Sequence, residues 1–132
     1  MALIATVRTE LAHEEMARQI FLPTGPLAFL PLADPYHCSI VWSTTPEEAR
    51  RLKAMSDPLF CAELAQVFEQ RLGAIESTSP RVSFPLKTQQ AEHYIKSAMA
   101  LIGDAAHVIH PLAGQGANLG IADADCLAKI IL

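Results

Sequence analysis

The sequence predicts an α+β fold: a mixed, largely antiparallel sheet with covering helices, followed by a terminal strand, loop and helix. Three observations predict it. Short apolar runs separated by turn residues open the chain, two helix-start signatures follow, and a glycine-rich turn near the end leads into an amphipathic pattern.

The opening runs are read as strands over 3–9, 17–22, 27–32 and 38–43. Pro23-Thr24-Gly25-Pro26 between the second and third is a turn, because proline fixes φ and glycine accepts a positive one. Close spacing favours antiparallel pairing. Phe29, Leu30, Ile40, Val41 and Trp42 are apolar at consecutive positions, so one face of the sheet can pack on a core while the other lines a pocket. Glu10, His13 and Glu14 read as a polar turn between two strands.

Thr45-Pro46-Glu47-Glu48 is a helix start, with Thr45 as the cap, proline in the first turn and Glu48 completing a capping box. Asp57-Pro58 opens a second helix. Phe60, Leu64, Val67, Phe68 and Leu72 mark its buried face, and Gly73 is expected to end it. A strand over 81–89 contains Pro85, which places it at an edge or bends it. The run 98–102 reads as a short buried strand, and the amphipathic helix that follows reaches the last residue. The domain reading is a sheet domain over 1–97 and a second segment over 98–132. Both ends look interior, since the final helix has no glycine or proline stop, so the chain is expected to continue.

Composition narrows the function classes. Apolar residues make up 51% of the 132, which suits a globular core and not a disordered chain. A net charge of −4 argues against a nucleic-acid partner, and no run is long and apolar enough to span a bilayer. Cys38, Cys61 and Cys126 form neither a zinc pattern nor a disulfide framework, in keeping with a reducing, cytoplasmic setting. Asp104, His107 and His110 lie close enough in sequence to suggest metal ligands, but no further cluster supports them, so no metal is assigned.

The chemistry concentrates in the last third. Asp104 follows an apolar strand and is a good acceptor for sugar hydroxyls. Gly114-Gln115-Gly116 precedes a helix, where free backbone N–H groups and the positive dipole end favour an anion or a carbonyl that takes up negative charge. A dinucleotide fingerprint is excluded, because a long loop separates Ile102 from Gly114. Asp123 and Asp125 read as solvated charge on the last helix, or as weak support for its dipole.

Leu101-Ile102-Gly103-Asp104-Ala105-Ala106-His107, together with His110-Pro111-Leu112-Ala113-Gly114-Gln115-Gly116-Ala117-Asn118-Leu119-Gly120, resembles the second FAD motif of the single-component flavoprotein monooxygenases. The wording His-Pro-Leu-Ala-Gly-Gln-Gly is similar to the ubiquinone-biosynthesis hydroxylases within that group, of the kind acting on 2-polyprenylphenol. The upstream runs 25–32 and 38–43 resemble the substrate-domain strands of the same enzymes. The resemblance implies FAD as cofactor and NAD(P)H as reductant. It also implies hydroxylation of the aromatic ring of a prenylated phenol by way of a flavin C4a-hydroperoxide.

On that resemblance, Gly103 and Asp104 would belong to the FAD site, with Asp104 on ribityl or ribose hydroxyls. Pro111 would lie beside the flavin ring, and backbone amides of Gly114, Gln115, Gly116, Ala117 and Asn118 would face its pyrimidine edge. The substrate wall would draw on Leu27, Phe29, Ile40 and Trp42. No residue is assigned as acid, base or nucleophile, since the cofactor carries the bond chemistry. The family's ADP-binding glycines and its middle motif are absent here, so the chain is expected to hold part of an FAD site and to be inactive alone. Peripheral contact with the inner membrane, a ubiquinone-biosynthesis complex and a homo-oligomer are the partners this reading allows. Two alternatives stay open: a non-catalytic quinone-binding or scaffold domain, and an aromatic-acid hydroxylase, for which Arg8 or Arg18 would have to turn inward.

Overall fold

The computed structural model describes residues 1–109 and 115–131. It divides into two compact units, Met1–Pro85 and Leu86–Leu132.

The first unit is a sheet with two helices. Its strands are β1 (Ala2–Thr9), β2 (Arg18–Leu22), β3 (Gly25–Pro31), β4 (His37–Ser43), β5 (Ile75–Thr78) and β6 (Val82–Phe84), and its helices are α1 (Pro46–Ala54) and α2 (Asp57–Val67). The sheet order is β2-β3-β4-β1-β5, with β6 also paired to β1, and every one of these pairs is antiparallel. The strand β5 has no counterpart in the sequence reading. Its four residues Ile-Glu-Ser-Thr carry one apolar side chain, too few to show a period.

Register decides which face is which. Trp42 lies opposite both Leu3 and Leu27, and Ile40 opposite both Ala5 and Phe29. These residues point to one side, where Leu52 of α1 and Phe60, Cys61, Leu64 and Ala65 of α2 close over them. Phe29 stacks on Phe68 with ring centroids 3.9 Å apart. The core thus lies between the sheet and its two helices.

The other face stays open. Ile4 lies opposite Val41 and Val82, Val41 opposite Ala28, and Leu30 opposite Ser39. Leu30, Val82 and Phe84 are exposed there. The expectation of one packed and one open face therefore holds, but Leu27, Phe29, Ile40 and Trp42 fall on the packed side. All four are at most 3% exposed, so they are core residues and not a pocket wall. The alternation of a strand sends neighbours to opposite faces, and the sequence alone does not say which set meets the helices.

Both helices start where the sequence places them, but the capping box at α1 does not close and no side chain caps α2. Thr45 accepts the Glu48 N–H at 3.2 Å, and a proline sits in the first turn of each helix. The Glu48 carboxylate turns away from the cap and takes Arg51 at 2.8 Å, and Arg51 also bonds Glu63 of α2. Gly73 does not end α2, which stops at Val67. Glu69 and Gln70 then take left-handed φ values of 58° and 52°, so that Phe68 and Leu72 both stay in the core as the chain reverses. Gly73, at φ 71°, is needed for a close approach: a Cβ there would lie 2.6 Å from the Glu10 carboxylate. The segment 81–89 is not one strand either. Pro85 separates the edge strand β6 from the second unit.

The second unit holds the strands β7 (Gln89–Gln90), β8 (Ile95–Lys96), β9 (Met99–Ala100) and β10 (His107–Val108), a 3-10 turn at Gly103–Ala105, and helix α3 (Gln115–Ile131). β7 pairs with β10, and β8 with β9 in a small hairpin turned at Ser97. The expected buried strand over 98–102 is thereby corrected. Only Met99 and Ala100 are paired, and Met99 is 64% exposed. A strand is buried only when layers cover both its faces, and apolar sequence without such layers leaves it at the surface. Among the described residues, no helix is long and apolar enough to cross a membrane.

Candidate functional site

The motif residues come together within the second unit. Ile102 is extended, and Gly103 then takes φ 59°, a conformation that costs other residues a Cβ clash. The chain turns there, and Asp104 follows with its side chain exposed. Among the described residues, no protein hydrogen bond engages the Asp104 carboxylate. It is thus available as an acceptor, on the turn where the sequence placed it.

The turn rests against one face of α3. Gly116, Gly120, Asp123 and Leu127 are the partly covered positions of this helix, at spacings of four, three and four. A Cβ on Gly120 would lie 3.3 Å from the Gly103 Cα, and one on Gly116 would lie 3.9 Å from the Ile109 side chain. Glycine at 120 lets the turn approach the helix backbone.

Asp123 supplies the polar contact at the same place. Its Oδ2 accepts the Gly103 N–H at 3.0 Å and lies 2.6 Å from His107 Nε2. The Gly103 N–H bond, followed by the His107 contact, holds the Asp123 carboxyl below its ordinary range. Asp123 is therefore not the solvated charge expected from sequence, since its partners lie 16 and 20 residues upstream, beyond any helical spacing rule. Asp125 is solvated and pairs with Lys129 at 2.6 Å. The signal for Asp123 was its phase: it shares a helix face with Gly116 and Gly120.

Gln115, Gly116, Ala117 and Asn118 open α3 as described, at the end of a helix where the dipole is positive. Pro111 and Gly114 lie outside the described residues, as does His110. Tyr94 stands 6.1 Å from the His107 ring, tilted by 48°.

The residues present fit a flavin dinucleotide in part. An exposed carboxylate suits sugar hydroxyls, and a helix of 17 residues offers amides to an electron-rich ring edge. The model of the FAD binding domain family matches residues 5–132.

The chain belongs to that family.

Over 98% of its length it is 41% identical to 3-demethoxyubiquinol 3-hydroxylase of Escherichia coli, of which it covers 33%. It is 40% identical over 97% of its length to the ubiquinone hydroxylase UbiL of Rhodospirillum rubrum, covering 30% of that protein. Among solved structures it is similar to PqsL of Pseudomonas aeruginosa in complex with 2-aminobenzoylacetate. The TM-score is 0.75 at 28% identity, covering 97% of this chain and 36% of that one. The chain thus spans about a third of the length of the relatives it matches.

The 132-residue FAD binding domain chain by itself is expected to bind FAD weakly or not at all, because no glycine fingerprint follows a first strand to hold the ADP half. Titration of the purified chain followed by flavin fluorescence checks this, and tight stoichiometric binding contradicts it.

Proposed function

We propose that this chain is one portion of an FAD-dependent monooxygenase that hydroxylates the aromatic ring of a polyprenylated phenol on the route to ubiquinone, with NAD(P)H as reductant. The chain alone is read as inactive. Its relatives' names support the reaction class.

The observation that carries the substrate class is the state of two arginines, Arg8 on the open sheet face and Arg18 opposite Phe29 on the packed side. Arg8 Nε lies 2.7 Å from Glu76. Arg18 donates to the His13 carbonyl at 2.7 Å and stands 3.7 Å from Glu14. Each already has a carboxylate neighbour, so a substrate carboxylate would have to displace Glu76 or Glu14. A carboxylate buried on Ile4, Ala28, Leu30 and Val41 that failed to do so would go unpaired, at a cost of several kcal/mol. A prenyl tail on the same face would gain about 0.8 kcal/mol for each buried methylene. These four residues replace the core set as the proposed substrate wall. The cavity of about 760 Å³ between Ala12–Glu15 and Pro31–Pro35, and that of about 470 Å³ beside α2, are lined by neither set, so the wall is assigned to the face itself.

Bound FAD would supply the oxygen-activating chemistry. This chain's own part is to hold it and keep the substrate dry. Asp104 would accept a hydroxyl of the ribityl chain or ribose. Amides of Gln115, Gly116, Ala117 and Asn118 would donate to the pyrimidine edge of the ring system, where the helix dipole stabilises negative charge. The apolar sheet face would orient the phenol and exclude water. A substrate with a polyprenyl tail partitions into lipid, and peripheral approach of the whole protein to a membrane fits that chemistry.

Turnover by the complete flavoprotein that contains this chain tests the reading. Coupled hydroxylation of 2-polyprenylphenol is expected to be faster than that of 4-hydroxybenzoate. Faster coupled turnover of the free acid overturns the substrate assignment.

A further inference from the structure

The Asp123 carboxylate ties two parts of the second unit that the FAD reading needs in register. One is the Gly103–Ala105 turn, which carries Asp104; the other is α3, whose first turn carries Gln115 to Asn118. Steric contact joins them at Gly103 and Gly120, where a Cβ would come within 3.3 Å. That contact limits how near the two can lie, and it sets no direction. The hydrogen bond from Gly103 N–H to Asp123, three residues along the same helix face, supplies the direction. His107, on the far side of the turn, meets the same oxygen at 2.6 Å. One carboxylate oxygen therefore holds both ends of the five-residue stretch 103–107. Asp104 lies inside that stretch, with no other protein bond to its side chain among the described residues.

We propose that Asp123 is a positioning residue of the cofactor site, fixing the Asp104 carboxylate relative to the first turn of α3 through its bonds to Gly103 and His107. The inference rests on the FAD reading above and assigns Asp123 no contact with the cofactor. Asp104 is the residue that touches it; Asp123 acts through Asp104. The geometry also ranks substitutions. Asp123→Asn keeps an oxygen for the Gly103 N–H and loses the charge opposite His107. Asp123→Ala loses both bonds. His107→Gln keeps a donor of similar reach.

The test is a double-mutant cycle on FAD affinity in the complete flavoprotein, with Asp104→Ala, Asp123→Ala and the pair, read by flavin fluorescence. Asp123→Ala is expected to weaken FAD binding roughly tenfold, the scale of one lost charge-assisted hydrogen bond. Asp104→Ala is expected to cost distinctly less in the Asp123→Ala background than in the parent, because a misplaced carboxylate has little left to lose. Amide hydrogen exchange at Gly103 and Asp104 in the FAD-free protein is expected to speed up in the same variant. Should Asp123→Ala not fold, Asp123→Asn takes its place in the cycle, with a smaller loss. Strictly additive losses, or an unchanged affinity with Asp123 altered, overturn the proposal while leaving the FAD reading in place. A parent protein that binds no FAD overturns both.

Discussion

Replacing Phe29 by alanine is expected to destabilise the sheet unit by about 3–5 kcal/mol, the usual cost of removing a buried aromatic ring. Phe29 is 1% exposed and stacked on Phe68 at 3.9 Å, and Leu64, Leu27 and Ile40 belong to the same core. The hole left by the ring lies between a sheet and α2, where the β1–β4 ladder cannot collapse without losing its pairing to β3. Trp42 is the chain's single tryptophan and lies in this core, so its fluorescence during urea unfolding reports the first unit directly. The result separates two roles for Phe29. A core residue shifts the unfolding midpoint strongly; a pocket-wall residue shifts substrate KM and leaves stability within about 1 kcal/mol. The second outcome would return Phe29 to the substrate site and invalidate the assignment of the faces.

Asp104→Ala in the complete flavoprotein is expected to lower FAD affinity by about 1.5–3 kcal/mol, roughly 10- to 100-fold, with little change in folding stability. The two effects part company because of where the side chain sits. Asp104 is exposed on a turn and its carboxylate makes no protein hydrogen bond among the described residues, so the fold loses nothing when it is shortened. A sugar hydroxyl that it would accept loses a charged partner. FAD titration and thermal melting of the FAD-free protein, run side by side, give both quantities. Equal affinity in variant and parent would remove Asp104 from the cofactor site. A large fall in melting temperature would make it a structural residue of the turn.

Much of the architecture was legible in local sequence. Thr45 and Pro46 marked the start of α1, Asp57 and Pro58 that of α2, and Pro23 to Pro26 the β2–β3 turn, because caps and turns are satisfied by residues close in the chain. The Gly103-Asp104 turn was legible too, as the end of an apolar run, whereas Gln115 and Gly116, read as preceding the last helix, lie within its first turn.

Tertiary structure alone decided three matters. It chose the face of the sheet that meets the helices, sending Leu27, Phe29, Ile40 and Trp42 inward and leaving Ile4, Ala28, Leu30 and Val41 outside. Both sets are apolar, so alternation could not tell them apart; only the docking of α1 and α2 does. It ended α2 at Val67 and not at Gly73, because keeping Phe68 and Leu72 in one core outweighs the cost of left-handed Glu69 and Gln70. And it gave Asp123 its partners. A carboxylate on a helix looks the same in sequence whether it faces water or a glycine turn twenty residues away, and a hydrogen bond of that span exists only once the chain has folded back on itself.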